Sequence, residues 1–135
     1  MSTLFSDVES ALVVVQNQQG DRYDPTASSN SLETWDTSEG YRVYMSGTQT
    51  LRVEGEALSS TTLDLAAGWN LIPFYPTTEM SVEDAFASIS GTVELVKDAA
   101  GNSYIPARNL DEIGTLKPGQ AYKVYVNEAT SFSYP

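Results

Sequence analysis

The spacing of apolar residues changes period several times along the chain, and each change marks an element. From Met1 to Leu12 the apolar positions are Leu4, Phe5, Val8, Ala11 and Leu12. This spacing lines one face of a short helix, for which Ser2 or Thr3 is the candidate N-cap. Met80–Ile89 carries the same signature more clearly. Ser81 is placed to cap, Asp84 follows three residues on, and Ala85, Phe86 and Ile89 form the stripe, with Gly91 closing the helix. The runs after the two helices, Leu12–Gln16 (LVVVQ) and Val93–Lys97 (VELVK), predict strands. Each strand meets a turn, Asn17–Asp21 or Asp98–Asn102, whose fourth residue is glycine, as a tight hairpin with a bulge requires. Short return strands, Arg22–Asp24 and Ser103–Ile105, stop at Pro25 and Pro106, because proline cannot donate to a ladder. Polar connections lead to Gly40–Met45 (GYRVYM) and Ala121–Val126 (AYKVYV), which alternate as strands do. Thr50–Val53 and Ser131–Tyr134 are the expected closing strands. Between the two sets, Thr61–Leu65 alternates, Ala66–Gly68 turns, and Trp69–Tyr75 (WNLIPFY) is a strongly apolar strand.

The two sets are one pattern used twice. Gly20, Tyr23, Pro25, Tyr41, Val43 and Tyr44 recur as Gly101, Tyr104, Pro106, Tyr122, Val124 and Tyr125, at a constant offset of 101 − 20 = 81. Phe5 and Phe86, Val14 and Leu95, and Trp35 and Leu116 fall in the same register. An internal repeat of this length constrains the fold before any other argument. The expected class is mainly β (α+β), with two tandem copies of a small β module, each with one short helix. The first copy covers residues 1–57 and the second 58–135. The strand at Trp69–Tyr75 has no counterpart ahead of the first copy. That copy is therefore expected to lack its leading strand and to be completed by sharing Trp69–Phe74, by a strand from a neighbouring chain or by an upstream segment. Its unpaired sheet edge is where a partner is expected. The expected core is Val14, Tyr41, Val43, Trp69, Leu71, Ile72, Phe86, Ile89, Leu95, Tyr122 and Val124.

Composition narrows the chemistry. There are 7 basic and 18 acidic residues in 135, a formal charge of −11, with no histidine and no cysteine. Such a surface repels phosphate backbones and anionic lipid, so neither nucleic acid nor membrane insertion is expected. Disulfides, zinc–thiolate sites and thiol nucleophiles are excluded, as is a Ser–His pair. The start of the chain has no basic and apolar segments of a signal peptide, and no window reaches the roughly 18 apolar residues of a membrane span. No phosphate-binding glycine loop or metalloprotease motif occurs. Asp21, Asp24, Asp98, Asp111 and Glu112 all fall on turns and connections, where carboxylates are ordinarily solvated. Calcium binding requires six to eight convergent oxygens, and the acidic residues are too sparse to supply them. No catalytic residue, cofactor or metal is expected.

The aromatic residues are the remaining candidates. Tyr23, Tyr44, Tyr104 and Tyr125 recur at matching positions, as two aromatic strips would. With Trp35, at the end of a polar connection, they form the candidate partner or glycan surface. Packing in a small β domain is the competing use of such side chains.

The string GWNLIPFYP, MSVEDAFASI, VELVKDAAGNSYIPA and IGTLKPGQAYKVYV, read from Gly68 to Val126, resembles a repeat module of secreted and cell-surface proteins of Bacteroidetes. It is also similar to modules in tail-fibre and other virion proteins of their phages. The Gly68-Trp69-Asn70-Leu71 start, the Lys97-Asp98 to Gly101 hairpin and the Leu116-Lys117-Pro118-Gly119-Gln120 to Tyr122 turn and strand carry the resemblance, in order. The first copy keeps Gly20, Tyr23, Pro25 and Tyr41 but lacks the Gly-Trp-Asn start and the Pro-Gly turn. The resemblance implies a small, mainly β architectural or adhesive unit without catalytic residues, located in a virion or at the cell surface. The expected function is a structural or adhesion module acting through protein–protein contacts or self-association, such as a virion decoration or fibre component. The alternative is a carbohydrate-binding module that uses the tyrosines on a glycan.

Overall fold

The computed structural model describes residues 1–135. The fold is mainly β, with two short α-helices. The chain divides into two units, Met1–Leu58 and Ser59–Pro135.

In the first unit, α1 (Ser2–Phe5) runs into a 3₁₀ turn over Ser6–Ala11. Three strands follow: β1 (Leu12–Gln16), β2 (Arg22–Tyr23) and β3 (Arg42–Met45). They form one antiparallel sheet in the order β2-β1-β3, with β3 as a terminal strand. The helix and the 3₁₀ turn after it lay Phe5 and Val8 on the sheet face carrying Leu12, Val15 and Tyr23, and Leu32 closes this small core.

The second unit begins with a hairpin, β4 (Leu63–Leu65) and β5 (Gly68–Pro73). Gly68 takes φ 96°, a conformation that costs glycine little. The Asn70 side chain closes the turn by accepting from Ala66 N–H at 3.0 Å and donating to Ala66 O at 2.8 Å. After β6 (Met80–Ser81) comes α2 (Val82–Ala85), capped by the Ser81 hydroxyl, which accepts from Asp84 N–H at 3.1 Å. Then come β7 (Val93–Lys97), β8 (Ser103–Ile105), β9 (Leu110–Asp111), β10 (Thr115–Leu116), β11 (Ala121–Val126) and β12 (Thr130–Phe132). The main sheet is ordered β5-β11-β7-β8-β9, with β10 paired to β6 and β12 paired to β4. Its core gathers Leu63, Leu65, Ile72, Phe74, Val82, Phe86, Val96, Leu116, Val124 and Phe132.

Pairing in the two units coincides position by position. Val15 faces Tyr23 and Val43 in the first, and Val96 faces Tyr104 and Val124 in the second, so the offset is again 96 − 15 = 81. The bulges match, lying between Leu12 and Val14 opposite Met45 and Tyr44, and between Val93 and Leu95 opposite Val126 and Tyr125. Phe5 has φ −104° and ψ 9°, and Phe86 has φ −103° and ψ 9°. Ser46 N–H donates to Ala11 O at 2.8 Å, and Asn127 N–H donates to Thr92 O at 3.0 Å. The hairpin turns match through exchanged side chains. Asn17 Oδ1 accepts from Asp21 N–H at 2.9 Å, and Asp98 Oδ1 accepts from Asn102 N–H at 2.8 Å. Gly20 and Gly101 both sit at φ 94°.

Several expectations from the sequence are corrected. Val43 and Trp69 are exposed rather than core, while Val14, Tyr41 and Leu95 are half-buried. The bulges are one cause. Each adds a residue, Val13 or Glu94, so Leu12 with Val15, and Val93 with Val96, face inward although they are three apart. Trp69 lies an odd number of residues from inward-facing Ile72 and so takes the opposite face of β5. Thr50–Val53 forms no strand. The N-cap position of α1 is Met1, without a side-chain cap bond, and neither Ser2 nor Thr3 caps it. The two-residue strands β6, β9 and β10 carry no strand signal of their own in the sequence.

Phe86 is almost completely enclosed and stacks on Phe132 at 5.2 Å. Replacing Phe86 with alanine is expected to cost about 3–5 kcal/mol of stability, measured by urea unfolding.

Candidate functional site

The feature that distinguishes the units is the far edge of β3. In the second unit, β11 pairs with β7 on one side and with β5 on the other, and all six residues of β5 take part. The equivalent strand β3 pairs with β1 and ends its sheet. Side-chain burial follows the backbone. Val43 is 44% exposed where Val124 is 0%, Trp35 is 43% where Leu116 is 0%, and Leu51 is 37% where Phe132 is 1%. Tyr44 and Val53 are also exposed. The positions covered alike in both units are Phe5 with Phe86, Val8 with Ile89, Leu12 with Val93 and Val15 with Val96. The first unit thus has a helix-side core at the positions where the second has one, while its β3 flank is open and apolar. A row of unpaired strand groups flanked by apolar side chains is suited to binding another strand.

The candidate aromatics do not assemble as two strips. Tyr23 is opposite Val15, whereas Tyr44 is opposite Val14, so the two rings occupy opposite faces of one sheet. Register separates Tyr104 and Tyr125 in the same way, through Val96 and Leu95. Tyr23 is buried, its ring 6.5 Å from Phe5. Tyr104 is half-buried against the second unit's core. Tyr44 projects into solvent from β3. Tyr125 is half-buried and meets the exposed Trp69 edge-on at 5.3 Å. Trp35 stacks on Tyr41 at 4.1 Å and lies 6.1 Å from Phe5, leaving one flank open. Periodicity could not reveal the roles of Val43, Leu51 and Trp69, because exposure there depends on which strands are adjacent.

Other side chains are committed to local structure. The Tyr41 hydroxyl accepts from Asp36 N–H at 2.8 Å, and the Tyr122 hydroxyl accepts from Lys117 N–H at 2.8 Å, each tying down the connection five residues upstream. Asp24 Oδ1 accepts from the Thr26 hydroxyl and N–H, and Asp36 Oδ1 from those of Ser38. These bonds favour the charged forms and hold both carboxyls below their ordinary pKa. No group of three or more acidic side chains gathers as a metal site would require. A depression lined by Met1, Tyr23, Ser29, Asn30 and Glu33 offers a single carboxylate. No helix is long and apolar enough to cross a membrane.

Comparison with protein-family models, curated proteins and solved structures finds no match to the chain.

Burial raises the phenol pKa of Tyr23, Tyr41, Tyr104 and Tyr122, and most strongly that of Tyr134, whose hydroxyl donates to Pro73 O at 3.1 Å. A folded-state pKa above the unfolded value of 10.0 gives stability that is complete below pH 10 and lost as pH rises beyond it. The depressed Asp24 and Asp36 act in the opposite sense. Their contribution is present above the ordinary carboxyl value of 3.8 and is lost as pH falls through their lower folded values. Urea midpoints against pH should show a plateau that falls at both ends. In the alkaline limb, tyrosinate absorbance should rise together with loss of near-ultraviolet dichroism, and Tyr134→Phe should move that limb to higher pH.

Proposed function

We infer that the chain is a non-catalytic structural or adhesion module that works through protein–protein contacts, and that its units are two copies of one module. Matched strand registers, bulges, hairpin turns and buried phenylalanines at one offset support the duplication. The observation that carries the function is the β3 edge, a terminal strand with exposed Val43 and Tyr44, in a unit that also exposes Trp35 and Leu51. Apolar side chains beside unpaired backbone favour association with another polypeptide.

The resemblance of Gly68–Val126 to a module of Bacteroidetes surface proteins and of virion proteins of their phages supports the same reading. It points to a virion decoration or fibre component, or to a part of a cell-surface assembly. Gly68 and Asn70 of that motif have a structural use here, since they form the turn that launches β5. Trp69 is its outward-facing member.

That tryptophan also favours a second reading, carbohydrate binding. Exposed Trp69 and half-buried Tyr125 present aromatic surface on the outer face of the main sheet, and sugars stack on such rings.

Light scattering over a concentration series, combined with a glycan array, tests the two readings. The assembly reading predicts self-association or a stable complex with a protein partner, and an array without sugar-dependent signal. A monomer that binds a glycan and loses it on Trp69→Ala or Tyr125→Ala would replace that reading with the carbohydrate one.

A further inference from the structure

We propose that the β3 flank of the first unit is a docking site for a β-hairpin presented by a partner chain, and that the hairpin resembles Leu63–Pro73 of this chain. The proposal rests on the assembly reading above and names the partner's chemistry.

The second unit displays the occupant. Each strand between Ser59 and Ser81 pairs with a strand later in that unit: β4 with β12, β5 with β11, and β6 with β10. Moving those later strands back by the common offset places β11 on residues 40–45 (121 − 81 and 126 − 81), β12 on 49–51 (130 − 81 and 132 − 81), and β10 on 34–35 (115 − 81 and 116 − 81). The exposed apolar residues Val43 and Tyr44, Leu51, and Trp35 lie in these three segments. The first unit is open at the positions where the second receives β4, β5 and β6.

The pairing in the second unit also prescribes the partner's side chains. Ile72 lies opposite Tyr122, Leu71 opposite Lys123 and Trp69 opposite Tyr125, so a strand antiparallel to β3 would set the same types against Tyr41, Arg42 and Tyr44. Leu63 lies opposite Phe132, so a second strand of leucine–polar–leucine pattern would run beside Leu51. That contact explains why Thr50–Val53 is strand-like in sequence and is not a strand here: a strand without a neighbour forms no ladder. A docked helix could not supply ladder hydrogen bonds to β3. Antiparallel pairing of β3 with β3 of a second copy would satisfy those bonds but would supply no strand for residues 49–51. A two-stranded hairpin serves both, by strand addition.

The test uses the full chain, labelled with ¹⁵N, and an unlabelled synthetic peptide of the sequence Thr61–Pro76. The expected result is saturable binding that slows amide exchange at Arg42–Met45 and Gln49–Leu51 by at least about ten-fold. A scrambled peptide should have no effect. Val43→Lys places a charge on a residue already exposed, so the fold is retained, and it should weaken binding by at least about ten-fold. Unchanged exchange at β3, equal protection by the scrambled peptide, or undiminished binding to Val43→Lys would each overturn the proposal. Concentration-dependent protection of β3 without peptide, which the peptide fails to displace, would overturn it too and would make a second copy the occupant. If the peptide fails while light scattering still reports association, only this docking site falls and the assembly reading stands. A monomeric chain that binds glycan instead removes the assembly reading itself.

Discussion

A β-strand has hydrogen-bonding groups along both edges, and this constraint separates the two units. In the second unit, β11 is an inner strand, and its alternate side chains Tyr122, Val124 and Val126 are buried. The first unit has the same strand in the same register against β1, yet Val43 is exposed, and Tyr41 and Met45 are only half-covered. Similar sequence at β3 and β11 therefore produces different burial. Residue type is not the cause, because valine occupies both central positions. The cause is the neighbouring strand, which contributes backbone partners and a second wall of apolar side chains together.

The elements shared by both units explain why the first can hold its shape with one flank open. The helical turn, the β1 hairpin and the bulge form a closed circuit of local interactions. Phe5 packs on Tyr23 across the sheet face. The bulge brings Leu12 and Val15 to one side. The turn is closed by an Asn–Asp pair whose members change places in the second unit, so the bonding arrangement is kept while the amide and the acid exchange positions. The tyrosine after the long connection, Tyr41 or Tyr122, returns its hydroxyl to the backbone and tethers a segment that contains little regular structure. These contacts lie within the three-stranded sheet and need no fourth strand beyond β3. The β3 edge is therefore available without unravelling the sheet.

Much of this was legible in the sequence. Apolar periodicity located both helices, the strands Leu12–Gln16 and Val93–Lys97, and the Ser81 cap. The glycine at the fourth position of each hairpin turn identified the left-handed residue. Three kinds of feature were not legible. The bulges moved the inward set to Val15 and Val96, because an extra residue breaks the two-residue period that alternation assumes. Recurrence groups Tyr23 with Tyr44, but which face a side chain takes depends on cross-strand register, which a linear pattern does not contain. Thr50–Val53 has strand composition without a strand, because pairing is a property of two segments rather than one. Trp69 illustrates the same point, since an apolar run of this kind does not by itself indicate which of its residues face inward.

That matching strands are paired on both edges in the second unit and on one edge at β3 in the first is tested most directly by native-state amide exchange in the free chain, residue by residue. The amides of β3 that face away from β1 should exchange at least about a hundred-fold faster than their counterparts in β11, while the amides of β1 and β7 at matching positions are protected to a comparable degree. Equal protection along β3 and β11 in the dilute, monomeric protein would contradict the account, because the edge described here as open would already be paired.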